Sequence, residues 1–236
     1  MITGGASGLG EAITRKLAAD RDHRIYFTFC RSAAGAARIE SDHPNARALR
    51  CDFSDPGSLA QLVAKIPELE IGVLINNALP SMTQRHFHKL SPDDLLKSFE
   101  QNVLPTVEIT RAAILEFRKR KRGKVITVLS SYLVNRPPTG LSEYVANKAY
   151  LASMSRSWAT ENAAFNITSN CISPSLMRTS LTSDTDERVL EDLTAAHPFG
   201  KLLTPAEVAA SVAFLVGATE HINGINLVMN GGADVI

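Results

Sequence analysis

Tyr144 and Lys148 are four positions apart in the segment Tyr144-Val145-Ala146-Asn147-Lys148, and Ser131 precedes the tyrosine by thirteen residues. In a helix, positions i and i+4 share one face, which would set the phenol beside the ammonium. A phenol has a pKa of roughly 10 and is a poor acid or base at neutral pH. A neighbouring ammonium favours the phenolate and lowers that value. At an effective dielectric of about 20, charges ~4 Å apart interact by about 4 kcal/mol before desolvation. That would move a phenol by about three pKa units, enough for general acid–base chemistry near pH 7. A core tyrosine beside a surface lysine has the same spacing, so the reading depends on what else converges on the pair.

The elements that must position them follow from periodicity. Short apolar, β-branched runs at 24–30, 47–52, 72–76, 124–130, 167–172 and 225–229 read as strands. Helical stretches fall at 9–20, 58–66, 92–120, 142–162 and 205–217, with a shorter one at 187–196. The alternation predicts βαβ units and an α/β fold. Nearly all-apolar strands point to a single Rossmann-like doubly wound parallel sheet with helices on both faces. Ligands bind such sheets beyond the carboxyl ends of the strands. Residues 4–10, Arg31, Asp52, Asn76, Asn77, Ser131 and Pro174 are expected there.

Residues 1–236 read as one nucleotide-binding domain, with a substrate lid over about 175–200. An ordinary surface excursion fits that polar, weakly periodic stretch equally well. Pro105 inside 92–120 predicts a kink. The first strand should precede Thr3, where only Met1 and Ile2 stand. Either it is very short or the natural chain starts upstream.

Composition excludes several classes. The 236 residues are 44% apolar with a net charge of +1, which suits one large domain or two small ones and gives no reason to expect nucleic acid. No apolar run reaches the ~18 residues of a membrane span, and the opening Met1-Ile2-Thr3-Gly4-Gly5 lacks the marks of a secretory signal. Cys30, Cys51 and Cys171 are far apart, without Cys-x-x-Cys. They read as reduced thiols of a cytoplasmic protein.

Several motifs accompany the pair. In Thr3-Gly4-Gly5-Ala6-Ser7-Gly8-Leu9-Gly10, glycines permit a tight turn and close approach to a pyrophosphate, and the following helix presents its N-terminus to the anion. The spacing departs from the G-x-G-x-x-G dinucleotide fingerprint. Arg31 and Ser32 end the 24–30 strand, and no Asp or Glu occurs from Arg24 to Ile39. An acid there would hold a ribose 2′-hydroxyl, whereas arginine suits a 2′-phosphate. Given a nucleotide fold this favours NADP(H) over NAD(H), against a merely solvated arginine. Asp52, followed by Phe53, could accept from an adenine amino group or simply cap the next helix. Asn76, Asn77 and Ala78 could line a cofactor floor or form a turn. Asn102 is a poor residue for a helix interior, which leaves a proton relay or a local bend beside Pro105. A hydroxyl at Ser130 or Ser131 could hold a substrate carbonyl.

Taken in order and spacing, these residues resemble the short-chain dehydrogenase/reductase family across essentially the whole chain. The carrying features are residues 3–10, Asp52, Asn76-Asn77-Ala78, Asn102, Ser131, Tyr144 with Lys148, Asn170…Pro174…Thr179, and the closing segment 224–232. The resemblance implies an NAD(P)-binding domain in which Tyr144 exchanges a proton with the substrate oxygen and Ser131 positions that oxygen. Lys148 would lower the tyrosine pKa and bind the nicotinamide ribose, and Asn102 would hold a relay water. Gly4, Ser7, Gly8, Leu9, Gly10, Arg31, Ser32, Asp52, Phe53, Asn77, Ala78, Pro174, Leu176 and Thr179 would contact the cofactor, together with Tyr144 and Lys148. Hydride would pass between the nicotinamide and a carbonyl/secondary alcohol pair. Departures fall at Leu79 and Ser175, where the family has glycine, and at Asn230, where it has aspartate. Leu79 and Ser175 add bulk near the pocket.

The expected walls supply Met82, Leu133, Val134, Pro137, Pro138, Leu176, Met177, Leu181 and Phe199, a mix suited to an acyl chain. A 3-oxoacyl thioester is the leading substrate. A secondary alcohol of the sugar, polyol or steroid type is the alternative, and a non-catalytic NADP(H)-binding sensor or scaffold a second class. Six of the seven residues in 118–124 are basic. They could dock an acidic carrier protein, or complement the dipole of a helix C-terminus. His86 and His88 have no third metal ligand nearby. The apolar face of 142–162, with Tyr150, Leu151, Met154 and Trp158, suggests a homo-oligomer, a dimer or tetramer.

Overall fold

The structure is a computed structural model that describes residues 1–80, 82–178 and 187–233. Thr179 and Leu181 lie outside the described residues, as does the middle of the expected lid.

The strands are β1 (Ile25–Phe29), β2 (Ala46–Arg50), β3 (Val73–Asn76), β4 (Gly123–Val128), β5 (Ile167–Pro174) and β6 (Asn226–Met229). All ladders are parallel, in the order β2-β1 and β3-β4-β5-β6. Ile2 joins the two halves, bridging Phe27 on one side and Ile75 on the other. Its amide donates to the Tyr26 carbonyl at 2.8 Å and its carbonyl accepts from Thr28 at 2.9 Å, while Thr3 donates to Ile75 at 3.0 Å. Ile2 therefore takes the place of a first strand at the centre of the sheet and leads directly into the glycine loop.

The helices are α1 (Gly8–Ala18), α2 (Ala33–Asp42), α3 (Pro56–Leu69), α4 (Pro92–Asn102), α5 (Leu104–Arg120), α6 (Ser142–Asn162), α7 (Glu187–Ala196) and α8 (Pro205–Gly217). Helix α2 was not expected. Its start, Ala33-Ala34-Gly35-Ala36-Ala37, offers little apolar contrast, and only Gly35, Ala36 and Ile39 are buried. A Cβ on Gly35 would lie 2.4 Å from the Ala6 carbonyl, so glycine lets α2 seat against the glycine-rich loop.

The expected single helix 92–120 is two helices, broken at Val103. Pro105 has no N–H to donate to the Gln101 carbonyl. Asn102 therefore ends α4, and its amide turns back to the Ser98 carbonyl at 3.0 Å. Helix starts follow their sequence signals: Ser91 with Asp94 and Thr204 with Glu207 form capping boxes, each followed by proline.

One face of the sheet packs α1 and α8 through Ile13, Leu17, Val208, Val212 and Leu215. The other packs α3, α5 and α6 through Leu62, Ile66, Ile109, Phe117 and Trp158. Burying a side chain such as Phe117 contributes about 1.5–3 kcal/mol. Together these layers hold the carboxyl strand ends rigid on one edge of the domain.

Candidate active site

The glycine loop runs from Ile2 into α1 along that edge. Gly4 has φ +65° and Gly8 has φ +54°, backbone that favours glycine. Gly10 is needed for space, since a Cβ there would lie 2.0 Å from the Gly4 carbonyl. Asn77 ties the loop to β3: its amide donates to the Thr3 carbonyl at 2.9 Å and the Gly4 carbonyl at 3.2 Å. Thr3 Oγ1 accepts from the amides of Asn77 and Ala78. Ser7 occupies the N-cap of α1 and Ser32 that of α2, yet neither side chain caps its helix. Both hydroxyls and the first amides of α1 remain available to an anion. This cradle fits a dinucleotide pyrophosphate.

At the far end of the cradle, Arg31 is exposed and Asp52 lies within its field, which helps hold the Asp52 carboxyl below its usual range. The larger cause is Ser54, whose hydroxyl and amide donate to Asp52 at 2.5 and 2.9 Å. The Cys30 thiol also helps lower Asp52, and the charge of Arg50 reaches Cys30. Neither Cys30 nor Arg50 was singled out from sequence. Parallel pairing of β1 with β2 brings them to this edge. Cys51 is buried as expected, but Cys30 is exposed.

Tyr144 and Lys148 share a face of α6, with Nζ 5.9 Å from the ring centroid. Their electrostatics differ from the expectation. Lys148 is 7% exposed and donates to the Val128 carbonyl at 2.8 Å, not to the phenol. Burial lowers its pKa to about 8. Burial pushes the Tyr144 phenol up, only partly offset by the Ser130 hydroxyl. The phenol is thus raised, not lowered, because desolvation outweighs an ammonium that points elsewhere. The hydroxyl that tempers the shift is that of Ser130. Ser131 is 1% exposed at the start of the 3-10 turn Ser131–Leu133. Sequence spacing alone could not separate these adjacent serines.

Burying Lys148 has a stability cost with a definite pH sign. Below pH 8 folded and unfolded chains both carry the proton, and the penalty is complete. Between about 8 and 10.5 the unfolded state binds more protons, so stability recovers as pH rises. In the cofactor-free protein, Lys148→Met should therefore raise Tm at pH 7, by up to about 3 kcal/mol of stability. The gain should shrink toward pH 10.5. Thermal melts at both pH values check this, and a lower Tm at pH 7 would mark the ammonium as a net stabiliser.

The expected pocket walls are tied to one another. Arg85 donates its amide to the Gly140 carbonyl at 2.8 Å, and Asn230 donates to Asn135 at 3.0 Å. The basic run is elsewhere. It ends α5 and enters β4 at its amino end, opposite the active edge. Arg118 bonds Asn162 and the Glu161 carbonyl, Arg120 the Ile71 carbonyl, and Lys124 the Val216 and Ala218 carbonyls. Lys119, Lys121 and Arg122 of the run remain exposed.

Comparison with known proteins agrees with this geometry. A family model described as enoyl-(acyl carrier protein) reductase matches residues 4–234. The chain is 30% identical to the 3-oxoacyl-[acyl-carrier-protein] reductase FabG of Escherichia coli, over 98% of this chain and 95% of that protein. It is 28% identical to the L-fucose dehydrogenase of Rattus norvegicus, over 100% of this chain and 88% of the other. A 3-ketoacyl-(acyl-carrier-protein) reductase from Brucella melitensis, solved with NADH, superimposes with a TM-score of 0.86 at 25% identity, covering 99% of this chain and 97% of that one. A glycine cradle at the centre of the sheet, a phenol over its carboxyl edge and this full-length similarity place the chain in the short-chain dehydrogenase/reductase family, as an oxidoreductase of a CH–OH/C=O pair.

Proposed function

We propose that the protein reduces the ketone of a 3-oxoacyl thioester, taking hydride from NADPH. The observation that carries the reading is the half-buried Tyr144 phenol, which shares a face of α6 with Lys148 and is kept protonated by desolvation. A protonated acid is what reduction consumes. Bound NADPH supplies the hydride, and the protein supplies orientation and the proton. Asn77 and the glycine loop fix the cradle, and Ser7 with the α1 amides takes the pyrophosphate. Arg31 and Ser32, with no acid nearby on β1, take the 2′-phosphate. Asp52 and Phe53 flank the adenine, while Ala78, Pro174 and Leu176 line the nicotinamide end. Ser131 and Ser130 hold the substrate oxygen, Tyr144 protonates it, and Asn102 with Lys148 returns the proton. The relatives named as 3-oxoacyl reductases and the apolar walls both favour the acyl substrate.

The similarity to an L-fucose dehydrogenase favours a second reading, oxidation of a sugar or polyol. Initial rates decide. With NADPH, an acetoacetyl thioester should be reduced faster than simple or steroid ketones. Faster oxidation of L-fucose or a polyol with NADP+ would select the second reading, and tight NADPH binding without any turnover would select a sensor or scaffold.

A cytoplasmic homo-oligomer completes the proposal. Leu151 and Trp158 are buried within the chain, so less of α6 is free for pairing than its sequence suggested. Tyr150 on α6 remains 41% exposed, as do Leu95 and Leu96 on α4 at 38% and 60%. They give a two-fold partner its apolar contact.

A further inference from the structure

Behind the catalytic pair, α4 and α6 enclose a cavity of about 10 Å³ lined by Ser98, Asn102, Glu143 and Asn147 together with Tyr144 and Lys148. A space of that size holds about one water and no substrate. Leu79, Met82 and Leu151 form its apolar side, and the polar groups opposite are linked to one another. Asn147 donates to Ser98 Oγ at 2.9 Å, and the Asn102 amide stands 3.5 Å from the same oxygen.

Glu143 is the unexplained member of this wall. It is 8% exposed, and its carboxylate makes no hydrogen bond or ion pair with any described residue. Burial raises the Glu143 pKa, and its carboxylate oxygens keep contact with solvent. The charged groups around it come from three elements. Arg85 opposes the shift, Asp94 on α4 reinforces it, and Tyr144 and Lys148 lie on its own helix. Arg85 is itself paired with Asp94 at 2.9 Å, which leaves Glu143 without a committed cation. A packing role would suit glutamine or leucine equally well. A carboxyl that shares a one-water cavity with a lysine of pKa about 8 can pass protons.

We propose that Glu143 is the outer proton station of the site, reloading Lys148 and Tyr144 through the cavity water after each reduction. The proposal rests on the reductase reading above. In one turnover the carbonyl carbon receives hydride, the C=O π bond opens, and the oxygen takes the Tyr144 proton. The tyrosinate recovers a proton from the Lys148 ammonium. The Glu143 carboxylate takes a proton from solvent on the side of Arg85 and Asp94 and passes it through the water to the amine, returning to the carboxylate. Charge and protons balance over the cycle.

The test is Glu143→Gln in the full-length protein, with NADPH and whichever carbonyl compound the wild type reduces fastest. Stopped-flow absorbance should show the first NADPH per site oxidised at the wild-type rate, because Tyr144 begins protonated. Later turnovers should be slower by about ten-fold or more, at or below the low end of general acid–base effects. Added imidazole buffer should restore them in proportion to its concentration, with no such effect on the wild type. Glu143→Asp should retain most of the turnover. Unchanged steady-state turnover in Glu143→Gln would overturn the proposal, as would equal slowing of first and later turnovers without buffer rescue. A Tyr144→Phe control separates the two levels. If that variant still turns over, the parent reading fails whatever Glu143 does.

Discussion

Tyr144→Phe is expected to lower kcat/KM for carbonyl reduction by about a thousand-fold, within the 10²–10⁴ range of a positioned acid, while NADPH binding stays near that of the wild type. The ring is retained, so packing on α6 survives and the loss is that of one proton donor. This loss does not require a lowered phenol pKa. Burial holds the phenol protonated through neutral pH, and reduction needs the protonated form. Reduction should therefore hold through neutral pH and fall once the phenol ionises on the alkaline side. Oxidation, which needs a base, should rise over the same interval. Fluorescence titration with NADPH separates binding from chemistry. Turnover close to the wild type in this variant would remove Tyr144 from the mechanism.

The raised phenol also shows what linear spacing leaves out. The i,i+4 relation placed Tyr144 and Lys148 on one face correctly, since α6 occupies 142–162 as expected. Spacing carries no information on where the long lysine side chain points. Its partner, the Val128 carbonyl, belongs to a strand twenty residues earlier in the chain. That Ser130, and not Ser131, tempers the Tyr144 shift has the same origin. Adjacent residues entering a 3-10 turn point in different directions, and the turn was not visible in the pattern.

The strands were the most legible elements because each is a compact apolar run, and the end of each led straight to candidate residues. Helix α2 escaped because alanine and glycine give no amphipathic contrast, yet they are what its close seat on Ala6 requires. The proline in 92–120 signalled a disturbance correctly but did not locate it. The break falls at Val103 and leaves Asn102 as a helix terminus beside Ser98. Ser98, Asn147 and Glu143 had no sequence signal at all. Each is an ordinary helix residue until α4 and α6 are packed, and only their shared cavity gives them a chemical role.

Arg31→Ala is expected to raise the NADPH dissociation constant by about ten-fold and that for NADH far less. The two cofactors differ only by the 2′-phosphate, so the ratio isolates one contact. Hydrogen bonds to charged groups contribute about 1.5–3 kcal/mol, and ~1.4 kcal/mol is ten-fold in affinity. The lower end applies because Arg31 is exposed and salt screens it. The remaining wall should not compensate. Asp52 already accepts from Ser54 and would repel a phosphate, and the nearest further cation toward Cys30 is Arg50 on β2. Raising the ionic strength should shrink the wild-type preference for NADPH and leave the variant almost unchanged. Arg31→Asp should go further and turn the preference toward NADH, because a carboxylate at that strand end accepts from a free ribose hydroxyl and rejects a phosphate. Equal weakening of both cofactors by Arg31→Ala would assign Arg31 to the adenosine as a whole and withdraw NADP(H) as the favoured cofactor.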